Sequence, residues 1–287
     1  MVKPMKTFSI KSSQNIENTL RKIGKLCDEE FEIGGVALLL GAMDNPNKKI
    51  EFYLDHLIQI ASDVSDIIGK TKKATLDNRI NCLKEIIVTN RGYTGDSDTY
   101  DDPQNANMIN IIERRKGLPV GLGIIYLDVA HRLGWKATGI NFPGHFLIRL
   151  EHESKRKIID PFNNAIERDT PDLRHILKQV NGMDTELLPQ HSCSLSSRET
   201  LLRLLNNIKL RAISSNDLKR AMQIMERMLL IAPSQWVILQ EASLFYYKIG
   251  NLKKSTEILE GFIEKTAKNS ERREAETMLF KVKKILH

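Results

Sequence analysis

The chain has 287 residues, 41% of them apolar and 28% charged, which is enough to bury a core and too apolar for a disordered polypeptide. Three scattered cysteines make neither a disulfide framework nor a Cys-x-x-Cys zinc site. The sequence has no apolar run of about 18 residues, as a spanning helix needs, and MVKPMKTFSIKSSQNIENTL lacks a secretory apolar segment. The expectation is a cytoplasmic protein with no membrane part. The net charge of +7 is uneven: residues 1–195 carry 26 basic and 26 acidic side chains, residues 196–287 carry 17 and 10. A nucleic-acid partner for the basic C-terminal part is therefore conceivable, against the plainer reading of a solvated helical face. No dense basic stripe with interleaved aromatics supports the former.

In chain order, a loose tail is expected to residue 12, then a helix over 13–31 with Ile16, Leu20, Ile23, Leu26 and Cys27 on one side. Gly34-Gly35 reads as a break, and Val36 to Leu40 as the start of a buried helix. Further helices are expected over about 49–68 and 75–90. Residues 91–105 read as a loop; Asp96, Asp98, Asp101 and Asp102 miss the spacing of an EF-hand, and Asx turns explain them better. A short helix covers 105–115 and ends on Arg114, Arg115 and Lys116, where cations suit the helix dipole and one arginine can pair with an acidic neighbour.

Pro119 then opens a helix to Gly134, with Leu122, Ile125, Tyr126, Val129, Ala130 and Leu133 on its buried face. Strands follow at about 136–141, 145–151 and 156–160, with reversals at Asn141-Phe142-Pro143-Gly144 and near Ser154. The second reversal brings Asp160 opposite the start of the strand that carries His145. A carboxylate there can fix the imidazole tautomer, as the acid of a catalytic triad does; a structural pair tying a strand end, or no contact at all, is the plainer alternative. A nucleophile belongs at the N-terminus of the 119–134 helix, where unpaired N–H groups would activate it. That stretch offers Val120, Gly121, Leu122 and Gly123, none of which can attack. Cys27 and Cys82 read as buried small hydrophobes, and Cys193 lies in a polar linker. A metal shared by His145, His152 and Asp160 is disfavoured, because residues seven apart on a regular strand face opposite ways.

A short helix is expected at 170–180 and a polar connector at 181–197. Beyond it lie helices at about 198–213, 217–231, 234–249, 252–266 and 271–286. A weak self-similarity at an offset of 34 residues (Leu218-Lys219 with Leu252-Lys253, Ile224 with Ile258, Glu226 with Glu260) is the period of tetratricopeptide repeats.

The segments RRKGLPVGLGIIYLDVAHRLG, INFPGHFLIRL and IIDPFNNA, together with Tyr100 to Asn105, resemble the SirB family of bacterial proteins. The resemblance implies an α+β fold. Residues 1–190 would form a transglutaminase-like (papain-like) domain, a core helix on an antiparallel sheet with a helical N-terminal subdomain. Residues 196–287 would form an all-α tetratricopeptide-like domain. In the wider superfamily a Cys at the core helix, a His on the next strand and an Asp on the one after do acyl chemistry. Position by position these fall on Gly121, His145 and Asp160; the SirB family carries serine at the first, and this chain carries neither sulfur nor hydroxyl. The expectation is a non-catalytic module binding a protein or peptide, with no cofactor and no metal. Asn141, Phe146, Phe162 and Arg115 are candidate binding residues, with core packing the plainer reading of each phenylalanine taken singly. A hydrolase using His145 and Asp160 with Cys193 or water, and a scaffold acting through its repeats, are the alternatives. The oligomeric state is not legible.

Overall fold

The computed structural model describes residues 16–71 and 74–286. The N-terminal part of the described chain holds the helices α1 (Ile16–Ile23), α2 (Ile33–Ala42), α3 (Ile50–Gly69), α4 (Leu76–Lys84) and α5 (Met108–Arg114). The helix expected over 13–31 is α1 followed by a 3-10 turn at Asp28–Glu30; positions 13–15 lie outside the described residues. The helix expected to 90 changes at Glu85 to a π-helical turn reaching Asn90. A two-residue parallel ladder, β1 (Thr94–Gly95) with β2 (Lys116–Gly117), clasps the ends of the loop and α5.

The helix α6 (Pro119–Arg132) follows, with proline at its first turn. One buried face was expected; instead every residue of α6 except His131 is buried. The reason is that α2, α3 and α5 pack around it as well as the sheet. Its charged residues are therefore paired: Arg132 donates to Asp128 at 2.7 Å and to Glu32 at 2.6 Å. Asp128 also accepts the backbone N–H of Gly34 at 3.1 Å. Gly34-Gly35, expected to break the chain, lies inside α2. A Cβ on Gly34 would come 2.6 Å from the Asp128 carboxyl carbon. The glycine lets two helices approach closely; it does not end one.

The sheet is built from β3 (Lys136–Phe142), β4 (His145–His152), β5 (Lys155–Asp160), β6 (Ile166–Arg168) and β7 (Ser194–Leu195) in the order β6-β5-β4-β3-β7, antiparallel throughout. Strand alternation divides β4 between two layers. Phe146, Ile148 and Leu150 join the main core with α6. Leu147 joins Ile140, Phe142, Leu173 and Leu177 beneath α7 (Thr170–Asn181) on the other face. β6 was not expected and β7 was read as part of the polar connector; each is short and flanked by polar residues, so neither shows a two-residue period.

The remainder is helical: α8 (Ser197–Ser214), α9 (Leu218–Ile231), α10 (Trp236–Lys248), α11 (Leu252–Lys265) and α12 (Asn269–Leu286). One hydrophobic core runs without interruption from Leu20 through α6 to Leu205, Ile224 and Tyr246. Arginines, two of them buried, reinforce this junction. Arg198 donates to Asp28 at 3.0 Å and to the carbonyl of Leu26 at 2.5 Å. Arg220 holds Asp44 through two bonds of 2.6 and 2.7 Å, and Arg227 joins the same carboxylate. Burial would push the Asp44 carboxyl up, yet the two guanidiniums hold it down at about 2.

Two neighbouring glycines separate the packing effect from helix propensity. Gly34→Ala is expected to cost about 1–3 kcal/mol by overpacking against Asp128. Gly35→Ala, whose nearest new neighbour lies 3.8 Å away, is expected to be neutral or to stabilise by up to about 1 kcal/mol. Equal effects in urea unfolding would contradict the close approach.

Candidate functional site

The two-residue turn Pro143-Gly144 sets His145 opposite Phe142 at the start of β4. Gly144 has φ of +67°, and a side chain there would meet Val180 of α7 at 2.8 Å, so the turn needs glycine twice over. His145 shares the parity of Leu147 on β4, and Asp160 shares that of Ile158 on β5; both lie on the α7 side of the sheet. The structure brings them together, His145 Nε2 lying 2.9 Å from Asp160 Oδ2. The Asp160 side chain is 0% exposed and that of His145 17%. The other ring nitrogen, Nδ1, has no hydrogen-bond partner among the described residues.

Asp160 serves more than the histidine. Its Oδ1 accepts the backbone N–H groups of Phe162 and Asn163 at 3.2 and 3.3 Å. Its Oδ2 accepts Asn163 Nδ2 at 2.8 Å and Arg168 through Nε and Nη2 at 3.2 and 2.9 Å. Burial pushes this carboxyl up, but His145, Asn163 and Arg168 together hold it down at about 2. Arg168 was absent from the expected site, because its place beside Asp160 depends on β6, which the sequence pattern does not reveal. Arg203 of α8 was also missed: Nη2 donates to the His145 carbonyl at 2.7 Å, and the guanidinium lies 5.9 Å above the Phe146 ring. Burial lowers its pKa.

A side chain at Gly121, the expected nucleophile position, would meet Ile111 Cδ1 at 2.4 Å and the Asn105 carbonyl at 3.5 Å, and His145 is not among its three nearest neighbours. The pleat explains this. Phe146, on the opposite face from His145, is the residue that packs on α6, its ring 2.2 Å from where a Cβ of Gly123 would stand. Of the cysteines, Cys82 is buried, whereas Cys27 is exposed rather than in the core. Cys193 is exposed just before β7, and β3 separates that strand from β4.

The four candidate binding residues do not converge. Phe146 is 1% exposed and belongs to the core. Asn141 is exposed on β3. Phe162 is half-buried, edge-on to Tyr100 at 5.8 Å. Arg115 takes a left-handed conformation, φ +60°, and lies 4.8 Å over the Tyr93 ring with Nη1 2.6 Å from His56 Nε2. There burial, then Arg115 and Arg91, push His56 down to about 4. Arg114, not Arg115, pairs with the buried Asp96 at 2.7 Å. Asp96 also accepts the Thr99 N–H at 3.0 Å, and Asp102 caps the 3-10 turn Pro103–Ala106, so the acidic loop is held by Asx turns.

Residues 51–206 match the transglutaminase-like superfamily, and residues 208–279 match the tetratricopeptide repeat. The chain is 32% identical over 232 residues to a UPF0162 protein of Xylella fastidiosa, covering 78% of this chain and 80% of that one. It is 22% identical over 209 residues to Protein SirB1 of Salmonella typhimurium, covering 72% and 75%. A crystal structure of menin overlaps 94% of this chain and 74% of its own at a TM-score of 0.40 and 11% identity, a likeness too loose to carry an argument.

The Asp160 carboxyl sits below its ordinary value of 3.8. Its contribution is therefore whole above about pH 4 and is lost as pH falls toward 2. Asp160→Asn is expected to cost on the order of 2 kcal/mol at neutral pH and to flatten the acid limb of stability between pH 4 and 2. Urea unfolding across that range measures it; an unchanged acid limb would contradict the assignment.

Proposed function

The chain belongs to the transglutaminase-like superfamily, within the group of UPF0162 and SirB1-like proteins, and carries tetratricopeptide repeats; on that premise we propose that it is a non-catalytic member, a bacterial cytoplasmic module that binds a protein or peptide. The observation that carries this reading is the missing attacking atom. The first turn of α6, from Pro119 to Leu122, offers no thiol or hydroxyl, and Ile111 fills the space a side chain at Gly121 would take. An acyl-enzyme needs such an atom within hydrogen-bond reach of the histidine. The bonding of Asp160 supports the same reading. Arg168 and Asn163 share the oxygen that His145 uses, so the carboxylate has structural work besides holding the imidazole. The pair is then a joint between β4, the turn after β5 and β6.

The repeat domain supports a protein partner. Leu210 and Ile213 of α8 and Val237 and Leu244 of α10 are exposed, and large exposed apolar residues suit protein contact where they come together. The basic excess of this domain favours nucleic acid less. Lys254, Lys268, Arg272 and Lys283 pair with Glu257, Glu271, Glu276 and Glu260, as on a solvated face. No helix among the described residues is long and apolar enough to cross a membrane.

A hydrolase in which His145 activates water is the second reading, favoured by its partly exposed ring and unpartnered Nδ1. Steady-state assays with glutamine-containing peptides, with and without an amine acceptor, separate the two. The proposal expects no ammonia release or transamidation above that of H145A. Turnover that His145→Ala abolishes, with the fold intact by circular dichroism, would contradict it.

A further inference from the structure

On the α7 side of the sheet, a cleft of 640 Å³ is lined by Arg149, Arg156, Ile158, Arg168, Leu173 and Leu187, a volume in the range of small-molecule sites. The strand register builds it. Arg149 of β4 lies directly opposite Ile158 of β5, and Ile158 opposite Arg168 of β6, so the three share one face. Arg156, two residues before Ile158, shares that face too. It is a diagonal neighbour of Arg168, at a spacing of about 7–8 Å that long side chains bridge readily. Three guanidiniums thus surround one isoleucine, with Leu173 and Leu187 completing an apolar floor.

Their donors are only partly used. Arg156 is exposed and has no hydrogen bond or ion pair among the described residues. Arg168 gives Nε and Nη2 to Asp160, which leaves Nη1 without a partner among the described residues. Arg149 reaches Ser192 and Ser194 with its terminal nitrogens, while its Nε is buried without a hydrogen bond; Glu151 Oε1 lies 3.0 Å away but off the donor axis. The carboxylates at the rim are otherwise engaged. Asp169 and Asp172 cap the start of α7 reciprocally, and Glu167 pairs with Lys157 at 2.7 Å.

We propose that this cleft binds a ligand carrying an oxyanion, a phosphoryl or carboxylate group, on an apolar body: the anion on Arg156 and Arg168 Nη1, the body on Ile158, Leu173 and Leu187. Guanidinium is the side chain suited to both anions, because its fork of donors matches two oxygens at once. The site is separate from the nucleophile question, since it needs no reaction at His145. It nevertheless touches the His145–Asp160 pair through Arg168.

Titration calorimetry of the full chain with phenyl phosphate, benzoate and phenol tests this, since the three share a ring and differ in the anion. Saturable binding of phenyl phosphate or benzoate is expected, with phenol weaker by about tenfold or more, as loss of charge-assisted bonds predicts. The tighter of the two anions assigns the phosphoryl or the carboxylate source. Arg156→Ala removes an exposed side chain that holds nothing else, and is expected to weaken the anion about five- to tenfold with melting temperature unchanged. Phenol binding as well as the anions, no saturation with either anion, or binding indifferent to R156A would each overturn the proposal.

Discussion

A fully buried carboxylate must be compensated or neutralised, and the end of this sheet is arranged around that demand at Asp160. Its donors come from three places in the chain: the imidazole that opens β4, the backbone and side chain of the turn after β5, and the guanidinium of β6. Remove the carboxylate and these groups lose their common acceptor. Arg203 adds a fourth element, because it holds the carbonyl of His145 from α8. The His–Asp geometry of a hydrolase therefore persists inside a network whose other members have structural work to do.

The second constraint is the burial of α6. A helix enclosed on nearly every side leaves little room for a reactive group at its start, and Ile111 and Asn105 occupy the room there is. The same enclosure ties the chain into one body. α8 continues the core that α6 begins, and Arg198 of α8 and Arg220 and Arg227 of α9 bring cations onto carboxylates and carbonyls of the N-terminal segments. A partner seated on the repeats would thus press on elements that also hold the end of β4.

Much of this was legible before any coordinates. Proline at the start of α6 and the turn before His145 fix a helix and a hairpin, because turn chemistry and a two-residue period are local signals; the spacing to Asp160 left the His–Asp contact open, and the structure makes it. The 34-residue offset likewise locates the repeats. What escaped was non-local. Gly34 looks like a breaker until Asp128, 94 residues away, is seen against it. β6 and β7 have no pattern of their own and exist only as partners of β5 and β3. Arg168 was missed with β6. Phe146 was a candidate binding residue beside His145 with core packing as the plainer reading, and it packs in the core, because adjacent residues on a strand face opposite layers. Arg115 was placed near the site by its position in the chain, and its left-handed backbone turns it to Tyr93 and His56 instead.

The absence of an attacking atom at His145 is most directly tested by covalent capture. Wild-type protein and His145→Ala would be incubated with an activated acyl ester and compared by intact mass and peptide mapping. The same slow background labelling in both is the predicted result. A rapid one-to-one acyl adduct on a cysteine, serine or threonine of the wild type, lost in H145A, would contradict it.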